Sequence, residues 1–222
     1  MSTLAVTTVQ FPASDLVPLA VGFFGLGTGY LIYGPQELFG LKAKNRGLDL
    51  SSGIWGVWMP GFMQLLTGLM IWIGLIFFHT FREAPLYMAA LAFTAYGVHW
   101  FALGMGRMFG GDARTNGFMA VAFTLISILG IIVFFHNDDS PVGGLFIGLT
   151  GVYVSEFFAS LFVRVPPEPL PGEAAAPPKE KTPIGELGER SLGFFHLGTG
   201  LWLMYLTWAV VLNFTCGYDL PL

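Results

Sequence analysis

Four polar side chains stand inside stretches that are otherwise apolar: Gln64, His99, Glu156 and His196. Glu156 sits in GLTGVYVSEFFASLF. A carboxyl among apolar neighbours can take up and release a proton, or it can stay protonated and make one hydrogen bond between helices. If it lies near the surface it can simply reach water. His99, in FTAYGVHWFALG, and His196, in GFFHLGTG, can each carry a proton, bind a metal or haem, or pack as satisfied neutral rings. His196 has a further peculiarity. GFFGLGTG at Gly22–Gly29 returns as GFFHLGTG at Gly193–Gly200, and the imidazole stands where the first copy has Gly25.

The elements that hold these residues follow from composition. Of 222 residues, 54% are apolar and only 11% charged, and the mean hydropathy is +0.67. A soluble domain carries about a quarter of its residues as charges. A spanning helix needs about 20 apolar residues, and six stretches supply them: Leu16–Gly34, Gly53–Phe78, Ala84–Gly106, Thr115–Phe135, Pro141–Val163 and Ser191–Phe214. The fold class is therefore all-α, a polytopic membrane protein of six transmembrane helices, with the lipid bilayer as its first partner. Pro60 falls inside the second stretch and should kink or locally unwind it. VPPEPLPGEAAAPPKEKTPIGELGE reads as an extended linker. It divides the chain into a five-helix block (1–164), a linker (165–190) and a sixth helix with a short tail (191–222).

Several function classes are disfavoured. The net charge of −4 is dispersed, with no basic run for nucleic acid. The single cysteine, Cys216, permits no intrachain disulfide and no multi-cysteine zinc site. No Lys or Arg precedes Lys42, so a signal peptide is not expected. No nucleophile–base pair, phosphate loop or metal cluster is legible, so the expectation is no enzyme, no catalytic residue, no metal and no cofactor. Loop charges give an orientation: Lys42, Lys44, Arg46, Arg107, Arg114, Arg164, Lys179, Lys181 and Arg190 fall on one side, which the positive-inside rule makes cytoplasmic, with both termini outside.

Depth along the helices brings the polar residues together. Counting about 1.5 Å per residue from each helix end, Gln64, His99, Glu156 and His196 all fall in or near the cytoplasmic half and suggest a shared cavity. Phe93, Tyr96 and Trp100 would form a narrow hydrophobic constriction. Arg107, just past Gly106, is expected to snorkel to the headgroups, and His79 and His136 to be interfacial. The spacings Gly25–Gly29, Gly106–Gly110 and Gly144–Gly148 suggest close helix packing.

Three segments carry a family resemblance. MPGFMQLLTGLMIW (Met59–Trp72), LAFTAYGVHWFAL (Leu91–Leu103) and GLFIGLTGVYVSEFFASLF (Gly144–Phe162) resemble helices of the acetate/succinate permease family, small six-helix carboxylate transporters or channels. The resemblance implies that Gln64, Phe93, Tyr96, Tyr153 and Glu156 line or support a carboxylate path. It implies a homo-oligomer, and termini inside, opposite to the loop charges. The bacterial inner (plasma) membrane is the expected location. Beside this stand two other readings: a non-catalytic subunit of a larger membrane complex, and a b-haem protein with His99 and His196 as axial ligands.

Overall fold

The computed structural model describes residues 17–41, 46–164 and 180–222, without the side chain of Arg46. The apolar runs form six rods. The first is α1 (Leu19–Leu38). The second joins α2 (Arg46–Gly56) and α3 (Met63–Ile73) through a π-helical segment, Val57–Phe62, and ends in another, Gly74–Phe78. Then come α4 (Pro85–Phe109), α5 (Arg114–His136), α6 (Ser140–Leu161) and α7 (Pro183–Cys216). The first π-helical segment contains Pro60, whose missing N–H and ring bulk loosen the local turn as expected.

Five rods are long and apolar enough to cross a membrane. The exception is α1, diluted by glycine, tyrosine and the pair Gln36–Glu37. It is enclosed by its neighbours, with Tyr30 and Tyr33 fully buried. Each rod packs on the next in chain order, and α7 closes the ring by packing along α1 as well as α6.

The α1–α7 crossing explains most of the repeated segment. A side-chain carbon at Gly193 would meet the Gly34 carbonyl oxygen at 2.7 Å, and one at Gly27 would meet the Gly200 carbonyl oxygen at 3.3 Å. Both pairs are small because two antiparallel backbones touch there. Gly25 faces the second rod, where the Met59 carbonyl leaves 2.7 Å, so no imidazole fits in that copy. His196, its counterpart, faces the interior. Of the other glycine spacings, Gly106 and Gly144 have open space beside them, and Gly110 caps α4 in the left-handed conformation (φ 81°).

Three boundaries shift by more than one turn from the sequence reading, and the second rod begins at Arg46 rather than Gly53. α1 continues through Pro35 to Leu38, so Gln36 and Glu37 are helical and buried rather than part of a loop. α7 begins at Pro183, inside the segment read as linker. Thr182 starts it: its hydroxyl donates to the Phe162 carbonyl (2.9 Å) and accepts from the Gly185 N–H (3.2 Å). Just before it, Glu180–Lys181 pairs antiparallel with Val163–Arg164, tying the two linker ends together. Lys42, Lys44, Lys179 and the rest of the linker, residues 165–179, lie outside the described residues.

Candidate functional site: two cavities and the turn between them

Two cavities open toward opposite ends of the ring. One, of about 470 Å³, lies at the end that carries Arg107, Arg164, Lys181 and Arg190, and its wall includes Tyr30, Glu37, His99, Trp100, Arg107, Tyr153, Glu156 and His196. The other, of about 300 Å³, is lined by Phe23, Leu26, Gln64, Phe93, Tyr96, Leu149 and Leu203, and reaches Glu83 and Asp139 at its mouth. Leu26 and Tyr30 on α1, Tyr96 and Trp100 on α4, and Leu149 and Tyr153 on α6 each belong one to either cavity. A separation of four residues is one helical turn, so only about 6 Å along the axis divides the two spaces.

That turn is aromatic. Tyr96 stacks on Tyr153 (centroids 5.6 Å apart), Tyr30 lies 5.9 Å from Trp100, and Tyr33 meets Trp100 edge-on at 4.9 Å. Phe93 packs on Phe23 one turn further. Tyr96 Oη and Ser127 Oγ share a hydrogen bond of 3.0 Å. Around this turn several buried polar atoms have no protein partner: Tyr30 Oη, both amide atoms of Gln64, Trp100 Nε1 and His99 Nε2. A buried donor without a partner is costly and rare.

The structure redistributes the residues singled out in the sequence. His99, Trp100, Tyr153, Glu156 and His196 do share one cavity. Gln64 does not: it lines the cavity at the other end, because its rod begins at Arg46 rather than Gly53 and the extra turns push Gln64 past mid-depth. Glu156 lies five residues before the end of α6, on the wider cavity's wall rather than in the constriction, and accepts a short hydrogen bond from Ser160 Oγ. His99 Nδ1 stands 3.5 Å from Tyr153 Oη. The Trp100 ring packs against both imidazoles, 6.1 Å from His99 and 6.5 Å from His196.

Arg107 corrects the sequence reading most sharply. It does not snorkel; its side chain is 7% exposed and lies over the Tyr33 ring, 3.7 Å from the centroid. Its Nη1 donates to Gln36 Oε1 (3.0 Å) and its Nη2 to Glu37 Oε1 (3.3 Å), with Asp49 Oδ1 4.0 Å away. The other carboxylate oxygen of Glu37 accepts from His196 Nδ1 at 2.6 Å. Gln36 also donates to Ser52 Oγ (2.8 Å), so this network joins α1, α2, α4 and α7 at one end. Glu37 was missed because YGPQE reads as a turn. The signal in the sequence was the pairing of one acid and one base at helix ends on the same side.

No family model and no curated protein sequence matches the chain. Its fold is similar to a solved structure described as "Structure of the bacterial acetate channel SatP", with a TM-score of 0.68 and 16% identity over 94% of this chain and 99% of that one. At this identity the likeness is one of fold. It bears out the fold expected from the family resemblance.

Proposed function

We propose that the protein is a membrane channel or transporter for a short carboxylate, acetate-like or succinate-like, which passes along the axis of the helical ring. The observation that carries this reading is the pair of cavities facing opposite ends and separated by one aromatic turn with unpartnered buried donors. Gln64 and the Tyr30 hydroxyl would take the place of water around a carboxylate as it sheds its hydration. Phe93, Tyr96, Trp100 and Tyr153 would set the size limit. His99, His196 and Glu156 would line the wider mouth. The fold likeness to a protein described as an acetate channel supports the same class of solute. The ring closes within one chain, so each protomer of a homo-oligomer would carry its own path.

The test is uptake of radiolabelled succinate and acetate into proteoliposomes, measured above protein-free vesicles, with Gln64→Leu beside the wild type. Replacing an unpartnered amide by an apolar group of similar size costs little stability. Flux is expected to fall about tenfold or more, the worth of one hydrogen bond to a charged group. Wild-type vesicles no more permeable than bare lipid to either solute would refute the reading.

A further inference from the structure

The charged wall of the wider cavity suits a carboxylate, and the narrower cavity does not repeat it. Among the described residues its lining includes no lysine, arginine or histidine, and its charged side chains, Glu83 and Asp139, are carboxylates at the mouth. An anion must pass both of them, whereas a neutral solute meets no such repulsion.

Gln64 lines this cavity with its side chain fully buried, and neither its Oε1 nor its Nε2 has a protein partner. A carboxamide left open at both atoms presents an acceptor and a donor side by side. A carboxylate has acceptors alone, so it can use only the Nε2 half, and its second oxygen would then face Gln64 Oε1. A primary amide uses both halves. Its carbonyl accepts from Gln64 Nε2, and one of its N–H groups donates to Gln64 Oε1, closing a ring of two hydrogen bonds.

Tyr96, on the wall of the same cavity, adds a second acceptor. Ser127 Oγ donates to the Phe123 carbonyl at 2.7 Å, which commits its one proton. The 3.0 Å bond between Tyr96 and Ser127 therefore runs from the Tyr96 hydroxyl to Ser127 Oγ. Tyr96 Oη is left to offer lone pairs, which suit the remaining N–H of a primary amide and repel an anion. One turn of α4 further on, Trp100 Nε1 is an unpartnered donor for the amide carbonyl once it leaves Gln64.

From this donor and acceptor pattern we infer that the path also conducts small neutral primary amides, with Gln64 holding the amide group by paired hydrogen bonds and Tyr96 Oη accepting its second N–H. Acetamide and acetate are isosteric, so an aromatic turn wide enough for one admits the other; that size argument rests on the carboxylate reading. The amide carries its pattern of donor and acceptor without taking a proton from the protein.

The experiment is stopped-flow light scattering of proteoliposomes holding the full-length protein under an inward acetamide gradient, measured above protein-free vesicles, with radiolabelled acetate followed in parallel. The wild type should pass acetamide faster than bare lipid. Gln64→Leu should lower the protein-dependent acetamide rate about tenfold or more, the worth of two neutral hydrogen bonds. Tyr96→Phe should lower it about threefold, the worth of one, and leave acetate flux no slower than in the wild type. If Gln64→Leu does not fold, Gln64→Met, which keeps the unbranched shape, takes its place. Acetate flux without acetamide flux overturns the inference and leaves the carboxylate path standing. Acetamide flux without acetate or succinate flux supports the inference and removes the carboxylate reading. Acetamide flux that Gln64→Leu leaves unchanged overturns the assignment to Gln64. Equal losses of acetamide and acetate in Tyr96→Phe would mean that the turn closes on any solute, and overturn the part given to Tyr96.

Discussion

The two mouths of the ring use the same helices to opposite ends. The wider cavity carries Glu37, Glu156, Arg107 and two histidines on its wall, whereas the narrower one has the amide of Gln64 below a mouth marked by Glu83, Asn137 and Asp139. Charges are tolerated near helix ends, where partners and water are within reach, and become expensive toward the middle. The sequence obeys this by placing Glu37 and Arg107 in the last turns of α1 and α4, which finish on the same side. The constriction then relies on uncharged donors. Under the proposed function, a path built this way would collect a charged solute at one mouth and pass it across a neutral, aromatic turn.

The comparison has a direction only once the sides of the membrane are known, and this gives an all-or-none prediction. Cys216, the only cysteine, is exposed at the end of α7 on the narrow-cavity side. Loop charges put that side outward. A membrane-impermeant maleimide is expected to label Cys216 on intact cells. Labelling only after permeabilisation would reverse the assignment, so that the charged mouth would face outward.

The next largest effect separates the two ends by stability. Arg107→Ala takes the guanidinium away from the buried Glu37 carboxylate, and truncating one partner of such a pair costs about 3–5 kcal/mol. Arg82→Ala, at the other end, removes an exposed side chain and should stay within about 0.5 kcal/mol of the wild type. Thermal unfolding in detergent checks both. Equal, small losses would mean that Arg107 finds water readily and that the charged mouth is no more tightly built than the other.

The contrast between the ends was only half legible in the sequence. Apolar runs located the rods, Pro60 announced its loosened turn, and His99, Glu156 and His196 were placed at one depth because their helices begin or end close to where the charge pattern changes. Gln64 went to the wrong half because a weakly apolar start, RGLDLSS, hid the first turns of its rod. Glu37 was hidden by Pro35, which ordinarily ends a helix. Here the chain passes it, and the Gln36 side-chain amide donates to the Ile32 carbonyl at 2.8 Å. Nor could hydropathy show which way Arg107 turns. A long basic side chain at a helix end has headgroups on one side and a buried acid on the other, and only the azimuth of α4 against α1 decides between them.

The smallest expected effect lies at the narrow mouth. Asp139 caps α6 by accepting the Val142 N–H at 3.0 Å, and it stands one residue outside the membrane-spanning segment. Burial raises its carboxyl above the ordinary carboxylate value, an effect the Val142 hydrogen bond offsets in part. A raised pKa means that the folded chain holds this proton more tightly than the unfolded one. Stability should therefore decline as pH rises from the ordinary aspartate range through the raised value, the reverse of a paired carboxylate. Asp139→Asn keeps an acceptor for the cap, should lie within about 1 kcal/mol of the wild type at neutral pH, and should lose that decline. If unfolding of the variant follows pH as before, the proton does not belong to Asp139.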